Sequence, residues 1–261
     1  MSVIYDKIAA GYDASRRADP RIIQNLRVLL DVQKDKVYLD VACGTGNYTS
    51  EISKFGGTWH AFDRSEQMLS EAKFKSGLVN WHQLDVDNIG FDKGFFDGAI
   101  CTLAIHHFTD LPSAVSEISR VLKPDGKLVL FTSTPQQMRT YWLCHYFPEM
   151  MDKSCKQMPS LESVEAAMSQ GGLSVLSTKL FFITSEHQDL ILYSGKQRPE
   201  MYLSSEIRAG ISSFCNLCSD TELKDGLNKL QRDIESDEIE NVIKRYESRI
   251  GDYLFIVAAN S

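Results

Sequence analysis

Between Val37 and Phe55 the apolar positions change period. Val37, Leu39 and Val41 alternate, as in a strand, and Tyr48, Ile52 and Phe55 recur at three- and four-residue spacing, as on a helix. Between the two patterns the chain reads D-V-A-C-G-T-G-N, Asp40 to Asn47, and loses its side chains at Gly44 and Gly46. The predicted unit is a strand, a tight glycine turn and a helix starting near Asn47 or Thr49. Further strands are predicted at 58–62, 79–84, 95–101 and 127–133, with helical spacing at 65–75 and 111–122. Strands alternating with helices imply βαβ units and a mainly parallel sheet covered on both faces, with the carboxyl-end loops on one rim.

Two segments depart from this alternation. Residues up to 30 carry Ile8, Ala9 and Tyr12, then Ile22, Leu26 and Leu30, which predicts two short helices with Pro20 between them or starting the second. After the strand at 127–133 comes an aromatic and methionine-rich stretch at 136–160, broken by Pro148, which suits a lid helix with a loop. A helix at 161–170 and a strand at 173–183 resume the pattern, and 253–258 reads as a last strand. Residues 185–247, with Leu223, Leu227, Leu230 and Ile234 at helical intervals, are too long for a plain loop and predict a mostly helical, charge-bearing insertion. The expected organisation is N-terminal lid helices at 1–30, a core at 31–184, a helical cap insertion at 185–247 and a final core strand at 248–261.

Composition narrows the classes of function. The 261 residues carry 35 acidic and 28 basic side chains, a formal charge of -7, so no global positive field favours nucleic acid. No window approaches a membrane span, and nothing at the start reads as a secretion signal. Six scattered cysteines do not form a disulfide framework, and a cytoplasmic location is expected.

The glycine turn also excludes two nucleotide sites. A P-loop needs lysine after its glycines, whereas Gly46 is followed by Asn47; a dinucleotide turn needs a third glycine where Thr49 stands. A carboxylate at Asp40 suits a cationic or hydroxylated ligand better than a pyrophosphate.

In order along the chain, L-D-V-A-C-G-T-G at Leu39–Gly46, A-F-D-R-S-E-Q-M-L at Ala61–Leu69, Leu84–Val86, Phe95–Leu103, His106 and R-V-L-K-P-D-G at Arg120–Gly126 resemble the motif series of class I S-adenosylmethionine-dependent methyltransferases. The resemblance is to the ubiquinone-biosynthesis-like, type 11 branch that acts on small molecules, and it covers about Tyr5 to Thr132. It implies an α/β, Rossmann-like fold with a mainly parallel seven-stranded sheet and helices on both faces. It implies S-adenosyl-L-methionine as cofactor, held by Asp40 and the backbone from Ala42 through Gly44 to Gly46 at the aminocarboxypropyl arm. Asp63, followed by Arg64, would take the ribose hydroxyls, Met68 and Val86 the adenine faces, Asp85 the adenine amino group, and Leu103 the wall behind the sulfonium. Tyr12 and Arg16, in Tyr-Asp repeats that also include Tyr5, resemble the helix that folds over the cofactor, with Tyr5 on the acceptor side. Asp63 and Ser65 also read as caps of the following helix, and Asp40 as a cap of the turn.

The acceptor side is less determined. His106 is a candidate base or a hydrogen-bonding residue, and His107 beside it supplies no metal site. Tyr141, Trp142, His145, Tyr146, Phe147 and the insertion after Ser185 are expected to wall the acceptor pocket, with Tyr141 and His145 as further catalytic candidates; the alternative for the aromatic residues is closure of the core. Thr102 stands where some relatives carry an acidic or asparagine-containing tetrad, which weighs against methylation of a nucleic-acid amino group. Cys215 and Cys218 read as two small apolar residues on one helix face rather than as a zinc or redox pair. No metal is expected. The function implied is methyl transfer to an O, N, S or C nucleophile of a small molecule by a monomer or homodimer. Transfer or cyclisation of the aminocarboxypropyl group, releasing methylthioadenosine, and a non-catalytic methyltransferase-fold binding protein are the alternatives.

Overall fold

Asp19 accepts hydrogen bonds from the backbone N–H groups of Arg21 and Ile22, and Pro20 supplies a preset first turn, so helix α1 runs Pro20–Leu30 and buries Ile22, Ile23, Leu26 and Leu30. The structure is a computed structural model, which describes residues 16–260. The first of the two expected N-terminal helices, with Tyr5 and Tyr12, lies outside the described residues, and α1 corresponds to the second.

Strand β1 (Val37–Val41) enters the glycine turn and α2 (Asn47–Ile52) leaves it. Then follow β2 (Thr58–Asp63), α3 (Glu66–Lys75), β3 (Val79–Gln83), β4 (Phe96–Thr102), α4 (Leu111–Val121) and β5 (Leu122–Thr132). Beyond β5 lie α5 (Pro135–Arg139), α6 (Pro148–Gln157), α7 (Leu161–Gln170) and β6 (Leu173–Phe181). The strand order is β3-β2-β1-β4-β5-β7-β6, a seven-stranded sheet whose last strand, β7 (Tyr253–Asn260), alone runs antiparallel. β5 begins at Leu122, earlier than its apolar run suggested, because Leu122 pairs with Phe96 before the register shifts and Gly98 pairs with Lys127.

The sheet is buried on both faces. Tyr38, Ile100, Val129 and Phe131 face one core with α1 and the aromatic stretch after β5, while Leu39, Val41, Ala99, Cys101, Leu128 and Leu130 face the other with α4 and α7. This double burial is why the central strands read as near-continuous apolar runs.

Between β6 and β7 the first part, residues 185–198, is turn and irregular chain, not helix. Helices follow at α8 (Ser205–Ala209), α9 (Ser212–Leu217), α10 (Asp220–Glu235) and α11 (Glu238–Arg245). α10 packs closely on the start of α6: a Cβ added at Gly226 would lie 2.4 Å from Cε1 of Phe147. No helix among the described residues is long and apolar enough to cross a membrane.

Candidate functional site

The carboxyl ends of β1 to β5 and the amino end of β7 share one rim, because β7 is reversed. Two non-glycine residues there adopt the left-handed conformation, Ala42 after β1 and Leu103 after β4, both with φ of 55°. Such a conformation costs a residue with a Cβ roughly 1–2 kcal/mol and persists only where surrounding bonds impose it. They do so here: the N–H of Cys43 bonds to the carbonyl of Phe62 at 2.9 Å, and that of Leu103 to Phe131 at 2.8 Å.

The turn glycines do different things. A Cβ at Gly44 would meet nothing within 4 Å, so this residue opens onto free space at positive φ. A Cβ at Gly46 would lie 2.3 Å from the ring of Trp81, so Gly46 is needed for packing as well as for its φ of 68°. Gly44 borders the cavity described next and Gly46 does not, which corrects the shared role expected of them.

A cavity of about 320 Å³ opens on this rim. On its β1–β3 side Asp63 is the organising group. Its Oδ2 accepts from the N–H of Gly44 and its Oδ1 from that of Ser65, each at 2.9 Å, so one carboxylate fixes the glycine turn and the approach to α3. Each carboxylate oxygen keeps a further lone pair for a hydroxyl donor. Burial raises the pKa of Asp63, opposed by those two N–H bonds. Arg64, Met68, Asp85 and Val86 line the same side, with Met68 and Val86 buried. Ser65 also caps α3 by accepting from the N–H of Met68. Capping and cavity-lining thus coincide at the turn into α3.

Asp40 is not part of the cavity wall; its side chain is buried where β1 meets α2. Its Oδ2 accepts from the hydroxyl of Thr49, while Oδ1 has no hydrogen-bond partner among the described residues. Burial pushes its pKa up to about 7, the bond from Thr49 opposes this, and the nearby Asp63 charge adds to it. An unpaired, buried carboxylate oxygen beside a glycine that opens onto space is the setting a cationic ligand relieves. These residues fit S-adenosylmethionine, whose charge is positive and whose ribose carries hydroxyls.

Leu103, His106 and His107 line the β4 side. The two imidazoles lie with centroids 3.8 Å apart. Burial drives His106 down to about 3, helped by His107, and drives His107 down to about 4, helped by the Arg64 charge. Nδ1 of His106 has no hydrogen-bond partner among the described residues. Burial therefore favours the neutral form of His106, which weighs against the general-base role expected of it.

The aromatic candidates are also corrected. Tyr141, Trp142, His145 and Tyr146 lie off the cavity wall. The Tyr141 hydroxyl bonds to that of Tyr202, the Trp142 indole N–H donates to the carbonyl of Lys196, and the Tyr146 hydroxyl donates to Asp233. Each ring buries its area against the β6–β7 segment and each polar tip finds a partner there, so they fasten that segment to the core. The same stretch contributes other residues to the cavity: Met138 from α5, Ser154 and Gln157 from α6, and Met158.

The insertion after Ser185 was expected to wall the cavity as a segment, but no pattern singled out its individual wall residues. Asp189, Ile191, Leu192 and Tyr193 come from the irregular chain after β6, and Ile211, Ser212 and Ser213 from the start of α9. Arg16 reaches the cavity, but its guanidinium is paired with Asp189, which also accepts from the Tyr48 hydroxyl at 2.8 Å. Only Tyr48, at a core position of α2, stood out by its spacing. Cys215 is exposed and Cys218, half-buried at the end of α9, packs against the core; among the described residues no three metal-ligating side chains gather.

Comparison with known proteins agrees with this geometry. Residues 39–130 match the family model described as a methyltransferase domain. The biotin biosynthesis bifunctional protein BioHC of Teredinibacter turnerae is 29% identical over 67% of this chain and 33% of its own length. A demethylmenaquinone methyltransferase of Staphylococcus epidermidis is 37% identical over 41% of this chain and 47% of its own. The chain thus spans between a third and a half of these curated relatives. A crystal structure from Anabaena variabilis, assigned to a methyltransferase of an antibiotic biosynthesis pathway, superposes with a TM-score of 0.83 at 29% identity, covering 93% of this chain and 98% of that one. Through its ordered motifs, its seven-stranded sheet with one reversed strand and its glycine-turn cavity, the chain is similar to these methyltransferases, and residues 39–130 match their domain.

Proposed function

We propose that this protein transfers the methyl group of S-adenosylmethionine to an oxygen, nitrogen, sulfur or carbon nucleophile of a small molecule. The observation that carries this reading is the single cavity wall built from both halves of the rim. Asp63, Asp85 and the glycine turn form one side, and residues of α5, α6 and the β6–β7 segment, uncharged apart from Asp189 in its ion pair with Arg16, form the other. When bound, the donor supplies a sulfonium-activated methyl group. Asp63 accepts from the ribose hydroxyls, Met68 and Val86 flank the adenine, Asp85 accepts from its amino group, and Gly44 lets the aminocarboxypropyl arm approach the backbone. Asp40 contributes negative potential from behind the turn. Leu103 and the neutral His106 shape the floor between the two sides.

With the two described imidazoles of the wall favoured in their neutral form by burial, the chain contributes alignment and exclusion of water more than proton removal. Residues 185–247 act as a cap, because Asp189–Tyr193 and Ile211–Ser213 close the side of the cavity opposite the glycine turn. The reading extends to a cytoplasmic protein, monomeric or homodimeric, with a small-molecule acceptor and no nucleic-acid partner. Incubation with S-adenosylmethionine and an acceptor panel, followed by product analysis, tests it. S-adenosylhomocysteine together with a methylated acceptor is the expected result; methylthioadenosine would mean aminocarboxypropyl chemistry, and donor binding without any turnover would mean a binding protein.

A further inference from the structure

The strand order separates the charges of the cavity. The carboxyl ends of β2 and β3 carry Asp63, Arg64, Asp85 and Asp87, all on the donor half of the rim. Across β4 lie the ends of β5 and β7 with Ser133, Met138 and Tyr253, joined by Met158, Ile191 and Ile211. The ionic wall groups that reach this half, Arg16 and Asp189, are paired with one another, and its polar remainder is serine, glutamine and tyrosine. Among the described residues an anionic acceptor would find no unpaired counter-charge here to offset its desolvation, a cost of several kcal/mol in a buried site.

One polar pair in this half has a direction. Ser133 Oγ donates to the carbonyl of Asp252 at 2.9 Å, so its contact with the Tyr193 hydroxyl at 3.4 Å has the tyrosine as donor. The Tyr193 oxygen then keeps its lone pairs, and no described residue donates to them. Tyr193 is fixed in place by stacking on Tyr141, with centroids 4.5 Å apart, and by an edge contact with Tyr253. A rigid hydroxyl whose proton is already committed offers a ligand only acceptance. It selects a partner that brings its own O–H or N–H.

Resting on the methyl-transfer reading, we propose that the acceptor is an uncharged, largely apolar molecule carrying a hydroxyl or N–H donor, and that Tyr193, held by Ser133, accepts the hydrogen bond from that group and so determines specificity. The test is calorimetric binding to the S-adenosylhomocysteine complex of matched triplets: aryl alcohols of increasing size, such as 1-naphthol, with the corresponding hydrocarbon and carboxylate. Expected are binding of the hydroxyl member, at least tenfold weaker binding of the hydrocarbon, and weaker binding still of the carboxylate. Tyr193→Phe should remove the preference of hydroxyl over hydrocarbon while leaving S-adenosylhomocysteine affinity within about threefold, which also shows that the variant is folded. Ser133→Ala frees the tyrosine proton and should reduce the same preference, an effect that simple loss of packing would not produce. Equal or tighter binding of the carboxylates, an unchanged preference in Tyr193→Phe, or no binding by any hydroxylated member overturns the proposal. The methyl-transfer reading fails by a different result: a bound hydroxylated probe with no methylated product from S-adenosylmethionine.

Discussion

Arg16 and Asp189, 173 positions apart, meet as a two-point ion pair, Nε to Oδ1 at 2.5 Å and Nη2 to Oδ2 at 3.2 Å. The Tyr48 hydroxyl bonds to the same carboxylate, so the chain before α1, helix α2 and the segment after β6 converge on one buried group. Removing one partner of a buried pair leaves an uncompensated charge and costs about 3–5 kcal/mol, whereas removing both costs far less. Asp189→Leu should therefore lower unfolding free energy by about 3 kcal/mol in urea titration, and adding Arg16→Met should recover much of it. A double variant no more stable than Asp189→Leu alone would contradict the coupling.

Asp40 should make the ligand-free protein sensitive to rising pH. Its folded-state pKa is raised from 3.8 to about 7, so its stabilising contribution is fully present below pH 3.8 and is lost as pH climbs through 7. Asp40→Asn should flatten that decline and be more stable than wild type at pH 8 without ligand. The same change should weaken S-adenosylmethionine binding about tenfold or more, measured by calorimetry. Greater stability with unchanged affinity would remove Asp40 from the donor site.

Asp19 behaves in the opposite sense. Burial alone would raise it, but the hydrogen bond and charge of His187, 2.9 Å away, and the N–H groups of Gln188 and Arg21 outweigh burial and hold it at about 2. Its contribution is present above the ordinary value of 3.8 and lost as pH falls toward 2. Asp19→Ala, which also removes the cap of α1, should cost about 2 kcal/mol at pH 7 and show a shallower acid transition between pH 4 and 2 in circular dichroism.

His106 makes a kinetic prediction. A side chain held near 3 by burial supplies no titration around neutrality, so kcat/KM should show no inflection at pH 6–7 attributable to it. His106→Asn should keep activity within about tenfold. A loss of a thousandfold together with a missing acid limb would restore it as the base.

The two turn glycines should separate function from folding. Gly46→Ala forces a Cβ into Trp81 at positive φ and should destabilise by about 3 kcal/mol, read as a lower melting temperature. Gly44→Ala carries only the conformational cost of about 1–2 kcal/mol, but its methyl projects into open space beside the cavity and should weaken donor binding more than tenfold. Equal effects of both changes on affinity would argue against the distinction.

Much of the β1–β3 side of the cavity was legible along the chain because its determinants are local. Asp63, Asp85, Met68 and the glycine turn follow strands and open helices within a few residues, so period, turn chemistry and ordered motifs locate them together. Asp40 and Gly46 were legible as motif members but not as buried supports, since their positions depend on Thr49 and on Trp81 from another strand. The aromatic stretch misled for a related reason. Tyr141, Trp142 and Tyr146 have the composition of a pocket wall, yet their hydroxyl and indole groups are satisfied by Tyr202, Lys196 and Asp233, partners more than fifty residues away.

The sequence by itself determined the alternating α/β order, the glycine turn between β1 and α2, and the acidic residues that follow β2 and β3. These rest on backbone preferences and periodicities that act over a few residues. Only the tertiary structure decided that β7 enters the sheet reversed beside β5, which carries Tyr253 to the rim, and that the irregular chain from 185 to 198 brings Asp189 and Tyr193 to the cavity. Those placements arise from ion pairs, ring packing and buried hydroxyls between distant segments, and no local pattern in the chain encodes them.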